Sequence, residues 1–259
     1  MLQELIIFTL VGFGAQIVDG ALGMAYGVLS SSALLALGVP PSHASASVHA
    51  AEIFTTATSA GSHITHKNVD WKLFWPLAIT GVIGGVLGAY VLTSFDGAKI
   101  KPIIVVYLGI MGCVILWRAW KGAGSKPISP KLAAPLGLIG GFCDAAGGGG
   151  WGPTVTSTLV GSGASPRHAV GTVNTAEFLV TTAASVTFLI SLLTGHWVDG
   201  AGIGKHLTAV IGLLIGGVIA APLAGKMTKH IPVRAFTWAV GGLVVLLAIY
   251  QALRLFKVI

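Results

Sequence analysis

Four carboxylates stand inside runs of apolar residues, and they form two matched pairs. Asp19 opens the segment DGALGMAYG and Asp144 opens DAAGGGGWG, while Glu52 closes PSHASASVHAAE and Glu177 closes PRHAVGTVNTAE. A single offset of 125 residues superposes both pairs, along with Gly23 on Gly148, Gly27 on Gly152, Pro41 on Pro166, His43 on His168 and Thr56 on Thr181. A carboxylate in hydrocarbon surroundings is too costly to be decoration and marks an ion, proton or substrate route. A glycine-rich helix break beside it, present in both halves, points to a carrier's midplane binding site.

On a helix starting at Pro41, the residues three, four and seven positions from Glu52 share its face: Ser45, His49, Thr55, Thr56 and Ser59. The matching stripe in the second half is thinner, with Asn174, Glu177 and Thr181. Glu52 lies nine residues beyond His43, so ~13 Å deeper into the membrane. Two roles fit Glu52 and Glu177: hydrogen bonds that hold helices together, and handling of substrate or protons. Asp19 and Asp144 fit a helix-capping role, a proton-coupling role, or both. The breaks Gly20-Ala21-Leu22-Gly23 and Gly147-Gly148-Gly149-Gly150 either allow tight packing or expose N–H groups that attract an anion. Tyr26 and Trp151 follow the breaks at equivalent positions and are expected to line the cavity with His49 and Asn174. His43 and His168 stand at helix starts near a membrane surface, where a capping or interfacial role and a role in gating or anion capture are the alternatives; Arg167, beside His168, is either an electrostatic lure for anions or an orientation charge.

Positioning these groups requires a membrane frame. Of 259 residues, 54% are hydrophobic and 9% charged, with mean hydropathy +0.87; a soluble domain carries roughly 25% charge. The uncharged runs 73–95, 207–225 and 235–253 are each about long enough to cross a bilayer. The fold expected is all-α: a polytopic membrane protein of two homologous, inverted repeats, 1–124 and 125–259. Each repeat holds a broken re-entrant hairpin followed by three transmembrane helices.

The first hairpin is drawn from 5–18 and 24–37, the second from 132–143 and 150–160, each piece being short for a crossing. Long helices follow over 42–66, 71–94 and 102–120, then 166–193, 205–225 and 232–256. With an odd number of crossings per half, ten basic residues fall on one side and five on the other, which makes the first side cytoplasmic. The opening segment has no basic n-region or cleavage site and is read as structure.

The net charge of +7 is spread over short connections, so no nucleic acid partner is expected. Cys113 and Cys143 are read as buried thiols. Most tryptophans, Trp197 included, lie near segment ends as interfacial anchors do. No metal-ligand spacing, nucleotide loop or nucleophile motif is present, so neither an enzyme nor a cofactor is expected. The glycine-rich stretch 212–217 packs either inside the monomer or against a second copy, which leaves a homodimer as an expectation.

The doubled pattern D-(G/A)-x-x-G-x-x-x-G, followed by P-x-H-A and the buried glutamate, resembles the TauE/SafE sulfite exporter family over nearly the whole chain. The resemblance implies a permease of the cell inner membrane moving sulfur-containing anions such as sulfite, sulfoacetate or other organosulfonates. Proton coupling through Glu52, Glu177, Asp19 and Asp144 is our own expectation. A carrier of another solute coupled to cations or protons, and an anion channel, are the alternatives. The first break lacks the glycine run of 147–150, so the second hairpin is expected to be the better anion cradle.

Overall fold

Prolines and glycines set the helix boundaries. The computed structural model describes residues 2–121, 130–200, 207–227 and 233–257. The middle of the 121–131 linker and the expected helix starts at 205 and 232 lie outside the described residues, as do the surroundings of Gly20 and Ala21. The helices are α1 (Leu2–Leu22), α2 (Tyr26–Ala36), α3 (Pro41–Thr65), α4 (Trp71–Thr93) and α5 (Gly97–Lys121) in the first half. In the second half, α6 (Pro130–Gly147) leads to a π-helical turn (Gly152–Thr156), and then come α7 (Ser157–Gly161), α8 (Pro166–Leu193), α9 (Leu207–Met227) and α10 (Val233–Leu255). Among the described residues there is no strand. Pro41 and Pro166 occupy the first helical position of α3 and α8, where a missing N–H costs nothing. Asp70 caps α4 by accepting the Lys72 amide.

Five helices among the described residues, α1, α4, α5, α8 and α10, are long and apolar enough to cross a membrane. The chain is a multi-pass membrane protein. The first arms of the hairpins are longer than the sequence reading allowed. α1 has 21 residues, about 31 Å, and α6 has 18. The helix runs on past Asp19 and Asp144 and stops only where glycine takes a left-handed conformation, at Gly23 (φ 64°) and at Gly148 and Gly149 (φ 75° and 142°). An Asp-Gly or Asp-Ala pair alone does not end a helix whose next residues remain good helix formers.

The halves interlace. α1 packs along α9 of the other half, α6 along α4, α5 against α10, and α3 against α8. Small residues make these seams close. A Cβ added at Gly12 would lie 2.7 Å from the Leu213 Cα, and one at Gly84 would lie 2.8 Å from the Phe142 N. Gly212 and Gly217 meet Phe8 and Thr55 in the same way, so this stretch is used inside the chain. Backbones that approach this closely gain dispersion contacts that lipid cannot replace. Lipid-facing positions carry large apolar side chains such as Ile79, Ile83, Ile110 and Leu246. Cys113 is also exposed rather than buried. Trp197, expected at the interface, is buried, donating its ring N–H to the Ser42 hydroxyl at 3.0 Å.

Gly12 and Gly14 share α1, yet a Cβ at Gly14 meets nothing within 4 Å. Gly12→Ala is expected to destabilise the protein by ~1–3 kcal/mol, lowering Tm by about 3–10 °C. Gly14→Ala is expected to leave Tm unchanged or raise it slightly. Thermal denaturation of the purified variants in detergent checks the pair.

Candidate functional site

Two broken helices meet at the centre of the molecule. Break one runs through Gly23 and Ala25, both left-handed (φ 64° and 88°), and break two through Gly148 and Gly149. A Cβ placed at Gly27 would fall 2.8 Å from the Gly149 Cα, and one placed at Gly152 would fall 2.7 Å from the Met24 Cβ. The two turns therefore touch backbone to backbone, and only glycine permits that approach.

Breaking a helix frees polar groups that lipid cannot satisfy, and the protein satisfies them from three directions. Asp144, on the last turns of α6, reaches across the break: its Oδ1 accepts the Gly150 amide at 2.8 Å and the Trp151 amide at 3.0 Å. Ser45 of α3 donates to the Ala145 carbonyl at 2.7 Å, and Tyr107 of α5 donates to the Gly149 carbonyl at 2.8 Å. Ser31 of α2 donates to the Gly148 carbonyl. In the first half Asp19 faces the Tyr26 amide, the repeat equivalent of Trp151. Both aspartates thus cap the segment that follows the break from the helix that precedes it.

The remaining oxygen of Asp144, Oδ2, lies 3.2 Å from the Nε2 of His49. His49 Nδ1 faces the Ser45 carbonyl at 2.8 Å and the Ser45 hydroxyl oxygen at 3.4 Å. The serine's own hydrogen is directed to Ala145, so Nδ1 meets acceptors and carries a hydrogen. A bare ring nitrogen would repel a carboxylate, so the contact holds a second proton, on Nε2 or on Oδ2. Glu52 stands beside the pair. Its Oε2 accepts from Thr181 at 3.5 Å, and its Oε1 lies 3.3 Å from where a Gly27 Cβ would be. His49, Glu52 and Asp144 are 0%, 3% and 2% exposed, and one donor atom from each falls within 4.8 Å of the others. The sequence reading saw no metal-ligand spacing because these groups come from α3 and α6. All three are held in hydrogen bonds within the protein.

Asp19 and Glu177 are partly buried and lie in the electrostatic field of this cluster, Glu177 facing Glu52, Asp19 and Asp144. Asn174, the repeat equivalent of His49, donates to the Ser59 hydroxyl at 3.1 Å, and its side-chain oxygen is buried without a partner. Trp151 is fully buried, its ring N–H on the Val173 carbonyl at 3.1 Å, and the Tyr26 hydroxyl donates to the Leu213 carbonyl at 3.3 Å. Both rings turn their polar atoms to backbone.

The helix-start residues stand apart from this centre. His43 is buried against Trp197 with its Nε2 at 2.9 Å from the Asp199 carbonyl oxygen. Arg167 is tied to Asn68 at 2.5 Å and to the His66 carbonyl at 3.1 Å, and His168 lies on the surface near Ser165. Sequence reasoning missed Ser31 and Tyr107, whose contacts with the break cross between halves. Their polarity inside apolar helices was the available signal.

The family model described as "Sulfite exporter TauE/SafE" matches residues 8–251. A relative from Bacillus subtilis (strain 168), described as "Probable membrane transporter protein YtnM", is 44% identical over 252 residues, covering 95% of this chain and 81% of the relative. Both descriptions are of transport rather than catalysis.

Gly149 combines a φ of 142° with contact against the Gly27 and Val28 backbone, whereas Ala25 holds a left-handed φ of 88° that glycine adopts without strain. Gly149→Ala is expected to abolish monodisperse, transport-competent protein. Ala25→Gly is expected to shift stability by no more than ~1 kcal/mol. Size-exclusion profiles and Tm of both variants check this.

Proposed function

The chain belongs to the sulfite exporter TauE/SafE family of membrane transporters, and from that premise we propose that it is a proton-coupled secondary carrier of small sulfur-containing anions, such as sulfite or an organosulfonate, in the cell inner membrane. The observation that supports the reading most is that Asp144 occupies the Gly150 and Trp151 amides, the donors an anion needs at the second break.

Proton and anion are then linked by competition for the same N–H groups. While Asp144 is ionised it holds both amides and excludes an anion by charge and by contact. When the proton shared with His49 sits on Asp144, its hold on the amides weakens and a sulfite or sulfonate oxygen takes them. Glu52, Asp19 and Glu177 set the charge of the pocket, and at least one is neutral while the anion is bound, because an ionised carboxylate in the same pocket repels it. His49 passes the proton. The two repeats, inverted relative to each other, place the breaks at one depth and let the site face either side in turn.

A specific observation favours a second reading. His49, Glu52 and Asp144 gather donor atoms within 4.8 Å, a set that suits a cation. Uptake of sulfite, sulfoacetate, taurine, chloride and sodium into proteoliposomes separates the two.

With an inside-alkaline gradient, wild-type protein is expected to accumulate sulfite or sulfoacetate and to saturate, as a channel would not. Asp144→Asn keeps an acceptor for the amides but cannot cycle a proton. It is expected to lose at least ~10-fold of the gradient-driven uptake, the scale of a proton-transfer role. Unchanged gradient dependence in Asp144→Asn would remove Asp144 from the coupling.

A further inference from the structure

One side of α5 follows the second broken hairpin from the break to the end of the helix. Tyr107, Met111 and Arg118, spaced four and seven apart, share a helix face. Tyr107 donates to the Gly149 carbonyl at 2.8 Å, Met111 receives the Thr154 hydroxyl at 3.9 Å, and Arg118 donates to the Ser157 hydroxyl at 3.4 Å. Arg118 stands eleven residues beyond Tyr107, so about 16 Å further along the helix axis. It also reaches the first break, its Nη1 lying 3.2 Å from the Met24 Sδ. Arg118 thus touches both hairpins where they come together.

Its partners are poor ones for a guanidinium. A thioether is a weak acceptor and the hydroxyl is distant. Arg118 is partly buried and, among the described residues, forms no ion pair. Other arginines that tie this structure together use stronger acceptors: Arg167 takes the Asn68 side-chain oxygen and the His66 carbonyl, and Arg234 takes the Ala119 carbonyl at 3.0 Å. The planar fork of Arg118 is left with N–H groups to offer, in the geometry that binds an oxyanion bidentately.

We propose that Arg118 is the anion-receiving residue at the mouth of the route to the two breaks, taking a sulfite- or sulfonate-type oxyanion in place of Met24 Sδ and Ser157 Oγ. This rests on the anion-carrier reading above. The cargo is drawn to the one charged side chain of α5 that touches both hairpins among the described residues and passes along Met111 and Tyr107 to the break.

The test is uptake kinetics in proteoliposomes with sulfite and sulfoacetate as probes. Arg118→Gln is expected to raise KM at least ~10-fold, the loss of one charge-assisted contact, with kcat within threefold; Arg118→Lys is expected to recover most of the affinity. Wild-type KM in Arg118→Gln overturns the proposal, as does a fall in kcat at unchanged KM, which a packing role predicts. Should Arg118→Gln fail to fold, Arg118→Cys in a Cys113→Ser, Cys143→Ser background is modified in the membrane with a methanethiosulfonate carrying an ammonium or a neutral group. Restoration of KM by the ammonium adduct alone supports the proposal, and equal effects of the two adducts overturn it. If wild-type protein carries neither probe, the anion-carrier reading fails and this inference fails with it.

Discussion

Inside a bilayer an unpaired backbone amide or carbonyl costs several kcal/mol, and this chain breaks two helices where they are buried within it. Everything else about the site follows from how those groups are satisfied. The Asp144 carboxylate closes the amides of Gly150 and Trp151, while Ser31, Ser45 and Tyr107 close the carbonyls of Gly148, Ala145 and Gly149. Those side chains come from α2, α3, α5 and α6, so the break is held by most of the first half as well as by its own hairpin. The acid placed there to satisfy backbone also stands 3.2 Å from the His49 imidazole.

The two halves share a plan but not a chemistry. His49 faces Asp144 across the break, whereas its repeat equivalent Asn174 turns to Ser59. The second break has two glycines at positive φ and the first has one, with Ala25 strained in the position equivalent to Gly150. Interlacing makes this asymmetry tolerable: α1 lies with α9 and α6 with α4, so each frame contains a member of each repeat. The small-residue seams keep these frames close-packed, and the polar helix α3, too polar to qualify as a lipid-facing span, stands between them against α8.

Much of this was legible from residue types. The 125-residue offset located both breaks, and spacing on one helix placed Glu52 with His49 and Thr56. Proline at 41 and 166 marked the starts of the two long helices. What the sequence did not carry was partner choice between helices. Gly84 and Gly216 are recognisable as seam residues, but nothing in their surroundings names α6 or α1 as the neighbour. For the same reason His49 was read with Glu52 on its own helix rather than with Asp144 across the break. Helix length was misjudged at α1 and α6, because a carboxylate in an apolar run looks like a boundary until the left-handed glycine beyond it is known. Trp197 was read as interfacial from its position near a segment end, yet it is buried against His43 and Ser42, and the Asp199 carbonyl meets His43 beside it.

The claim on which the account stands is that the breaks at Met24 and Gly152 lie against each other. Cysteines at these two positions, in a background with Cys113 and Cys143 replaced by serine, test it most directly. A Cβ at Gly152 lies 2.7 Å from that of Met24, which after a shift of about 1 Å is disulfide distance. Mild oxidation in native membranes is predicted to form an intramolecular disulfide that protects both thiols from maleimide. Two thiols that stay fully reactive after oxidation would contradict the meeting of the breaks and the carrier site built on it.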